Sequence, residues 1–178
     1  MPKRKRKLYS RPGKPFDKQR IEEENALIEK YGLKNKREIW KADSAISRIR
    51  NLAKKLITKS DKEKELFINR LKKSGFEIES IADALALDKE DWLKRRLQTI
   101  VFKKGLTTTP KQARQLIVHR HVLVGEQIVN IPSYRVSLEE ESLVKLNIVL
   151  NIKKPQQGKL EKIKEEILEN EISQEGED

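Results

Sequence analysis

The sequence contains no cysteine among its 178 residues, which excludes disulfide bonds, thiolate-bound metals and a cysteine nucleophile. It thereby excludes the cysteine-ligated zinc sites that many RNA-binding proteins carry. Aromatic residues make up only 5% of the chain, and no phosphate loop of the Gly-x-x-x-x-Gly-Lys type is present. Because only two histidines are available to activate a nucleophile, we expect neither an enzyme nor a bound cofactor.

The sequence also lacks long apolar runs. No stretch of about 18 apolar residues could span a bilayer, and no apolar segment near Met1 could act as a signal peptide, so we expect a cytoplasmic protein. Hydrophobic residues make up 36% of the chain and charged residues 38%, with a net charge of +12. This composition predicts small cores and a phosphate-rich partner. Nucleic acid is the first candidate for that partner, and an anionic membrane surface is the weaker one.

Charge and periodicity divide the chain into four parts. Residues 1–20 form a basic extended arm, 21–92 a helical region, 93–155 a compact mixed module, and 156–178 an acidic tail. The arm suits binding along an RNA backbone, nuclear import or idle disorder, and the sequence leaves these uses open. The tail has the composition of a disordered, solubilising segment.

Helical periodicity dominates between the two ends. Gly32 is placed to end a first helix, and Asn35 with Glu38 to cap a second whose opposite face is dense in Lys and Arg. Capping boxes are predicted at Ser60 with Glu63, before Leu66, Phe67 and Leu71, and at Ser80 with Asp83. Asp88 is predicted to cap one helix in which Leu93, Leu97, Ile100 and Val101 face the same way, ending at Gly105. We expect Trp40, Trp92 and Phe102 to pack in the cores.

The pattern changes after Thr109-Pro110, which places a hydroxyl N-cap before a proline at the first helical position. Residues 122–129 then alternate around Gly125-Glu126, which predicts a hairpin with a type II′ turn. Residues 134–136 and the alternating Leu146, Ile148, Leu150 and Ile152 predict further extended segments. The fold class is therefore α+β, with two helices packed on a small, mostly antiparallel sheet. His119 and His121 would diverge on a helix, so we expect no shared metal site.

Several separated segments of this module are familiar in order and spacing. Residues 95–101 (RRLQTIV), 109–119 (TPKQARQLIVH), 121–124 (HVLV) and 128–134 (IVNIPSY) closely resemble the S4 RNA-binding module. Residues 20–25 (RIEEEN) and 31–40 (YGLKNKREIW) resemble the archaeal branch of the ribosomal protein S4 family. The resemblance extends to about residue 155. The chain departs from the family pattern at Gly125-Glu126, where Asn-Gly is usual, and it lacks the cysteines by which some members bind zinc.

The resemblance implies a small-subunit ribosomal protein that binds the 5′ domain of the rRNA early in assembly. It also implies a position beside the S5-type protein and other small-subunit proteins, near the mRNA entry side, with an influence on decoding accuracy. We expect RNA contacts from basic, polar and aromatic side chains on the arm, the second helix and the module. These candidates are Lys3, Arg4, Lys5, Arg6, Lys36, Arg37, Arg95, Arg96, Thr109, Lys111, Arg114, Gln115, His119, Arg120, His121 and Tyr134.

Two alternatives remain for this sequence. Arg96 suits an RNA contact or a structural ion pair, and the whole protein suits a ribosomal component or a free RNA chaperone for stalled ribosomes. The long helical N-terminal region argues against the chaperone, because such proteins are usually little more than the module.

Overall fold

The computed structural model describes residues 7–147. Within this range the first five helices form the N-terminal region, and three further helices with a short sheet follow. The helices are α1 Lys18–Tyr31, α2 Lys36–Leu56, α3 Asp61–Lys73, α4 Ile81–Ala86, α5 Lys89–Lys94, α6 Leu97–Lys103, α7 Pro110–Val118 and α8 Leu138–Ser142. The strands are β1 Val122–Val124, β2 Gln127–Ile128 and β3 Val144–Leu146. The α+β prediction is confirmed.

Most of the predicted helix boundaries are confirmed by their caps. Gly32 ends α1 in the left-handed conformation, with φ 59°, and the Asn35 side chain accepts the Arg37 amide at the start of α2. Ser80 with Asp83 forms a complete capping box. The box predicted at Ser60 is wrong, because its side chain makes no capping hydrogen bond. Leu66, predicted as part of the apolar stripe of that helix, is 70% exposed.

The single helix predicted from Asp88 to Gly105 is wrong, because the chain forms α5 and α6 with a break between them. Arg96 takes an extended conformation at the break and pairs with Arg135 in an isolated antiparallel bridge. The Leu97 amide donates to the Tyr134 carbonyl at 2.8 Å, and the Val136 amide donates to the Arg95 carbonyl at 3.1 Å. These long-range backbone bonds replace the bonds that a continuous helix would make.

The sheet is antiparallel throughout, in the order β2-β1-β3. Its hairpin has the predicted register, with Val124 opposite Gln127, and Gly125 at φ 64° occupies the first turn position. The last strand begins at Val144, before the predicted alternation, and residues 148–152 of that prediction lie outside the described residues. Helix α8 was not predicted, although Ser137 with Glu140 forms a capping box of the usual spacing.

Three hydrophobic clusters hold these elements together. One joins α2, α3 and α4 around Ile46, Phe67 and Ile78, and another joins α6, α7 and the sheet around Ile100, Ile117 and Val122. The third joins α1 and α2 to Leu93, which therefore packs on the N-terminal helices. The sequence predicts a boundary between the helical region and the module at residues 92 and 93. This position lies inside α5, and the boundary stays a prediction.

Gln98 connects the N-terminal helices to the module through hydrogen bonds. Its side-chain amide is buried and donates to the carbonyl oxygens of Tyr31, Gly32 and Pro110 at 2.9–3.0 Å. A Cβ on Gly32 would lie 2.9 Å from Pro110, so this close approach needs glycine. The N-terminal end of α7 is thus held against the C-terminal end of α1.

Candidate nucleic-acid interface

Cationic side chains from both parts of the molecule gather where α2, α3 and α5 meet α7 and the segment that follows Pro132. We call this surface the seam. Each of its residues lines one common pocket, contacts another member, or lies close enough to shift the pKa of another member. Its residues are Glu38, Lys41, Arg48, Arg70, Trp92, Arg96, Arg114, Ser133 and Arg135. All of its charged side chains except Glu38 are cations.

One end of the seam is organised by the Glu38 carboxylate. Arg96 Nη2 lies 2.5 Å from Glu38 Oε2, and Arg114 binds both carboxylate oxygens, at 2.9 Å through Nη2 and 3.1 Å through Nη1. Burial acts to raise the pKa of Glu38, but the hydrogen bonds from Arg114 and Arg96 outweigh it and hold that pKa below its ordinary value. The carboxylate therefore stays ionised and ties α2 to the module.

The other end of the seam, which we call the unpaired end, carries the guanidinium groups of Arg48, Arg70 and Arg135. Arg135 stacks over the Trp92 ring at 4.4 Å from its centroid. Burial lowers the pKa of Arg135, and the nearby positive charges of Arg70 and Arg48 lower it further. In residues 7–147 none of these three arginines forms an ion pair with a carboxylate. Their like charges favour binding of a polyanion.

Helix α7 and its N-cap residue together carry four of the residues predicted to contact RNA. The Thr109 hydroxyl caps the helix by accepting the Gln112 amide at 3.2 Å, while Lys111 and Gln115 are exposed and Arg114 is half-buried against Glu38. A Cβ added to Gly32 would lie 3.0 Å from the Lys111 amide nitrogen, so Gly32 packs closely against the start of α7. Because this chain already covers much of the helix start, a phosphate seat at Thr109 has little room. The four contacts stay predictions.

The C-terminal end of α7 closes on an arginine in the left-handed conformation. Arg120 has φ 63°, its amide donates to the Ile117 carbonyl, and the His121 amide donates to the Leu116 carbonyl. This is a Schellman motif in which glycine is the usual residue. The rings of His119 and His121 do not diverge as predicted but lie 6.2 Å apart, because the helix ends before them. In the described range, no group of at least three potential ligands could hold a metal ion.

Two further predicted RNA-binding residues are engaged within the protein. Arg95 donates to Glu141 at 2.7 Å and to the Val136 carbonyl at 2.9 Å, and it covers Gly75. The Tyr134 hydroxyl donates to Glu140 at 2.7 Å. Both acids belong to α8, so these side chains fasten that helix to the module. An RNA contact by either side chain has to compete with these bonds.

The N-terminal candidates are distributed differently. Lys36 lies 3.3 Å from the buried Glu24 carboxylate, which also accepts from Arg20 and from the Trp40 indole. Burial acts to raise the pKa of Glu24, but these bonds outweigh it and lower that pKa. Arg37 is exposed beside this cluster. Lys3, Arg4, Lys5 and Arg6, like the tail of residues 156–178, lie outside the described residues.

The sequence does not single out the arginines at the unpaired end of the seam. Arg48 belongs to the general basic face of α2, as does Lys41 in the same seam, and nothing local distinguishes Arg70 or Arg135 from other surface arginines. The bridge between Arg96 and Arg135 brings the segment after Pro132 beside Trp92. Trp92 also stacks on Phe76, whereas Phe102, predicted to pack in a core, is 37% exposed.

The S4 domain family matches residues 95–142, which include α6, α7 and the hairpin of β1 and β2. The module beside the seam of arginines is therefore that of an S4-type RNA-binding protein. Small ribosomal subunit protein uS4 of Saccharolobus islandicus is 43% identical over 160 residues, covering 85% of this chain and 88% of that protein. The uS4 protein of Saccharolobus solfataricus has the same identity and coverage. The chain belongs to the uS4 family, in its archaeal branch.

Each helix in the described residues is too short or too polar to cross a membrane.

Proposed function

We propose that this protein is a structural component of the small ribosomal subunit that binds the 5′ domain of the rRNA through the seam and the exposed face of α7. The unpaired end of the seam carries this proposal. Arg48, Arg70 and Arg135 come from α2, α3 and the module, and their mutual repulsion is relieved when a phosphate backbone lies among them. A surface of this kind reads the shape of folded RNA rather than its base sequence.

The family membership supports the wider setting of this function. The protein acts as a primary binder that grips a junction of several RNA helices early in subunit assembly. Its neighbours are the S5-type protein and other small-subunit proteins, and mRNA passes near it on the entry side, where it influences decoding accuracy. Its contribution is to bind and to position RNA rather than to catalyse a reaction.

The test is competition binding between the 5′ domain rRNA and tRNA, at low and at raised salt. Salt weakens all phosphate-driven binding, so the preference that survives at raised salt is the informative quantity. We expect the wild type to keep its preference for the 5′ domain, and Arg135→Gln, Arg114→Ala and Lys111→Ala to reduce it. Lys62→Ala is the matched control, because it removes one exposed charge from α3 outside the seam.

Equal binding to both RNAs, lost in parallel as salt rises, would reject the proposal in favour of a general RNA chaperone. Loss of preference in Lys62→Ala to the same degree as in the seam variants would show that net charge, rather than the seam, determines recognition. Circular dichroism of each variant establishes that it is folded before binding is compared.

A further inference from the structure

A pocket of about 210 Å³ opens in the seam between the N-terminal helices and the module. Glu38 and Lys41 of α2, Trp92 of α5, and Arg96, Arg114 and Ser133 of the module line it. Three of these side chains are cations and one is a carboxylate, so the pocket carries two uncompensated positive charges. A small concave site with this balance favours an anion.

Arg96 is the unusual member of this set. Its side chain is only 4% exposed, and Nη2 binds Glu38, whereas Nε and Nη1 have no hydrogen-bond partner among residues 7–147. A buried guanidinium with unused N–H groups is costly, because it has lost water without gaining acceptors. Glu38 satisfies part of this demand, but its single charge is shared between Arg96 and Arg114. The excess positive charge therefore remains at the pocket.

Three of the lining residues offer hydrogen-bond donors that solvent can reach. Lys41 and Ser133 are exposed. In residues 7–147 neither the Lys41 ammonium nor the Ser133 hydroxyl bonds to another side chain. Arg114 is 24% exposed, so part of its guanidinium also reaches solvent. The Lys41 ammonium, the Arg114 guanidinium and the Ser133 hydroxyl can donate to the oxygens of one tetrahedral phosphate. The buried Arg96 adds positive charge to the same pocket.

We propose that this pocket binds a single phosphate group, with Lys41, Arg114 and Ser133 as direct donors and Arg96 as the buried charge that sets its affinity. The inference deepens the proposed function, since the phosphate is one of the RNA backbone. Because donors come from both α2 and the module, the bound phosphate joins the two parts as Glu38 does from inside. Phosphate binding thus stabilises the folded chain as well as the complex.

The first experiment compares the melting temperature of the full-length protein in sodium phosphate with that in sodium chloride of equal ionic strength. We expect a saturable rise of roughly 2–4 °C in the wild type. Lys41→Ala should abolish most of that rise and Ser133→Ala should reduce it, while Lys62→Ala should keep it. Phosphate also stabilises proteins by general exclusion from their surface, but that effect does not saturate and is equal in all four proteins.

The second experiment separates an RNA phosphate from a free one. The logarithm of the affinity for the 5′ domain falls linearly with the logarithm of salt concentration, and Lys41→Ala should lower that slope by about one phosphate contact. Lys62→Ala should leave the slope unchanged. A saturable melting shift with an unaltered slope would mean a site for free phosphate, and would overturn the assignment to RNA.

A non-saturating shift that is equal in every variant would overturn the phosphate site altogether. The proposed function would stand in that case if the wild type still preferred the 5′ domain RNA over tRNA. Conversely, a saturable shift in a protein without that preference would reject the proposed function and overturn the RNA assignment, leaving only an anion site.

Discussion

At one end of the seam Arg96 and Arg114 share the Glu38 carboxylate, whereas at the other Arg48, Arg70 and Arg135 have no acidic partner in the described part of the chain. The two ends carry the same chemical group under opposite electrostatic conditions. The paired end holds α2 to the module, so its arginines serve the fold as well as the proposed phosphate pocket. The unpaired end costs stability in the free protein and gains it when a polyanion binds. Partnership, rather than residue type, thus separates arginines that also hold the fold from arginines whose only proposed partner is RNA.

The largest expected effect comes from breaking the paired end with Glu38→Gln. Removing one partner of a buried ion pair leaves uncompensated charge, and we expect the free energy of unfolding to fall by about 3 kcal/mol. Urea denaturation followed by circular dichroism measures the change. Glu63→Gln is the control, because its pair with Lys59 is exposed, and such pairs contribute about 0–1 kcal/mol. Equal losses in the two variants would mean that Glu38 does not hold the two parts together.

A change at the unpaired end should alter stability little and weaken RNA binding. Arg70→Gln removes one of three mutually repelling, exposed charges, so we expect stability to rise by no more than about 0.5 kcal/mol. Affinity for the 5′ domain should fall about fivefold to tenfold, because one phosphate contact is lost. Filter binding and urea denaturation measure the two quantities, with Lys62→Gln on the same helix as the control. A destabilised Arg70→Gln that binds RNA normally would remove the contrast between the two ends.

Arg120 lies outside the seam, and its variants separate the cost of a left-handed backbone from the contribution of a positive charge. Its left-handed backbone is costly for any residue with a Cβ, so Arg120→Gly should raise the free energy of unfolding by about 0.5–1 kcal/mol. Its RNA affinity should fall because the charge is lost. Arg120→Ala removes the charge but keeps the backbone cost, and should lose affinity without gaining stability. A stabilised Arg120→Gly with wild-type affinity would show that Arg120 does not contact RNA.

The smallest effect concerns pH. The pKa of Glu38 is lowered in the folded protein from its ordinary value of 4.5, so its contribution to stability is present above that value and is lost as pH falls through the folded pKa. Unfolding measured between pH 7 and pH 3 should therefore show stability declining in the acid range. Glu38→Gln should decline less steeply, with the remaining slope due partly to Glu24, whose pKa is also lowered. Parallel slopes would contradict the lowered pKa of Glu38.

Local chemistry explains where the sequence predicted the fold correctly. The end of α1 follows from Gly32, the start of α2 from Asn35 and the start of α7 from Thr109-Pro110, because caps act within one helical turn. The hairpin follows from Gly125, whose positive φ suits its turn. In each case the residues that determine the structure are neighbours in the chain, so a pattern of spacing is sufficient.

The failures have a common physical origin in contacts between distant residues. Arg96 interrupts the predicted helix because it pairs with Arg135, 39 positions later in the numbering. Arg95 and Tyr134 bind the acids of a helix that was not predicted, and their RNA contacts stay predictions. The unpaired end of the seam was missed because three separate elements supply its arginines. No local pattern reports which carboxylate will lie beside a given arginine.

Composition and short-range backbone chemistry dictate the α+β class, most of the caps, the hairpin and the basic character that favours a polyanionic partner. The family resemblance is also evident from the chain alone, because each of its motifs is contiguous. Which cations are neutralised within the fold, and which have no acidic partner in the described residues, depends on the folded chain. Ion pairing depends on distances of a few ångströms between groups far apart in the chain, and packing of α2 against the module sets those distances.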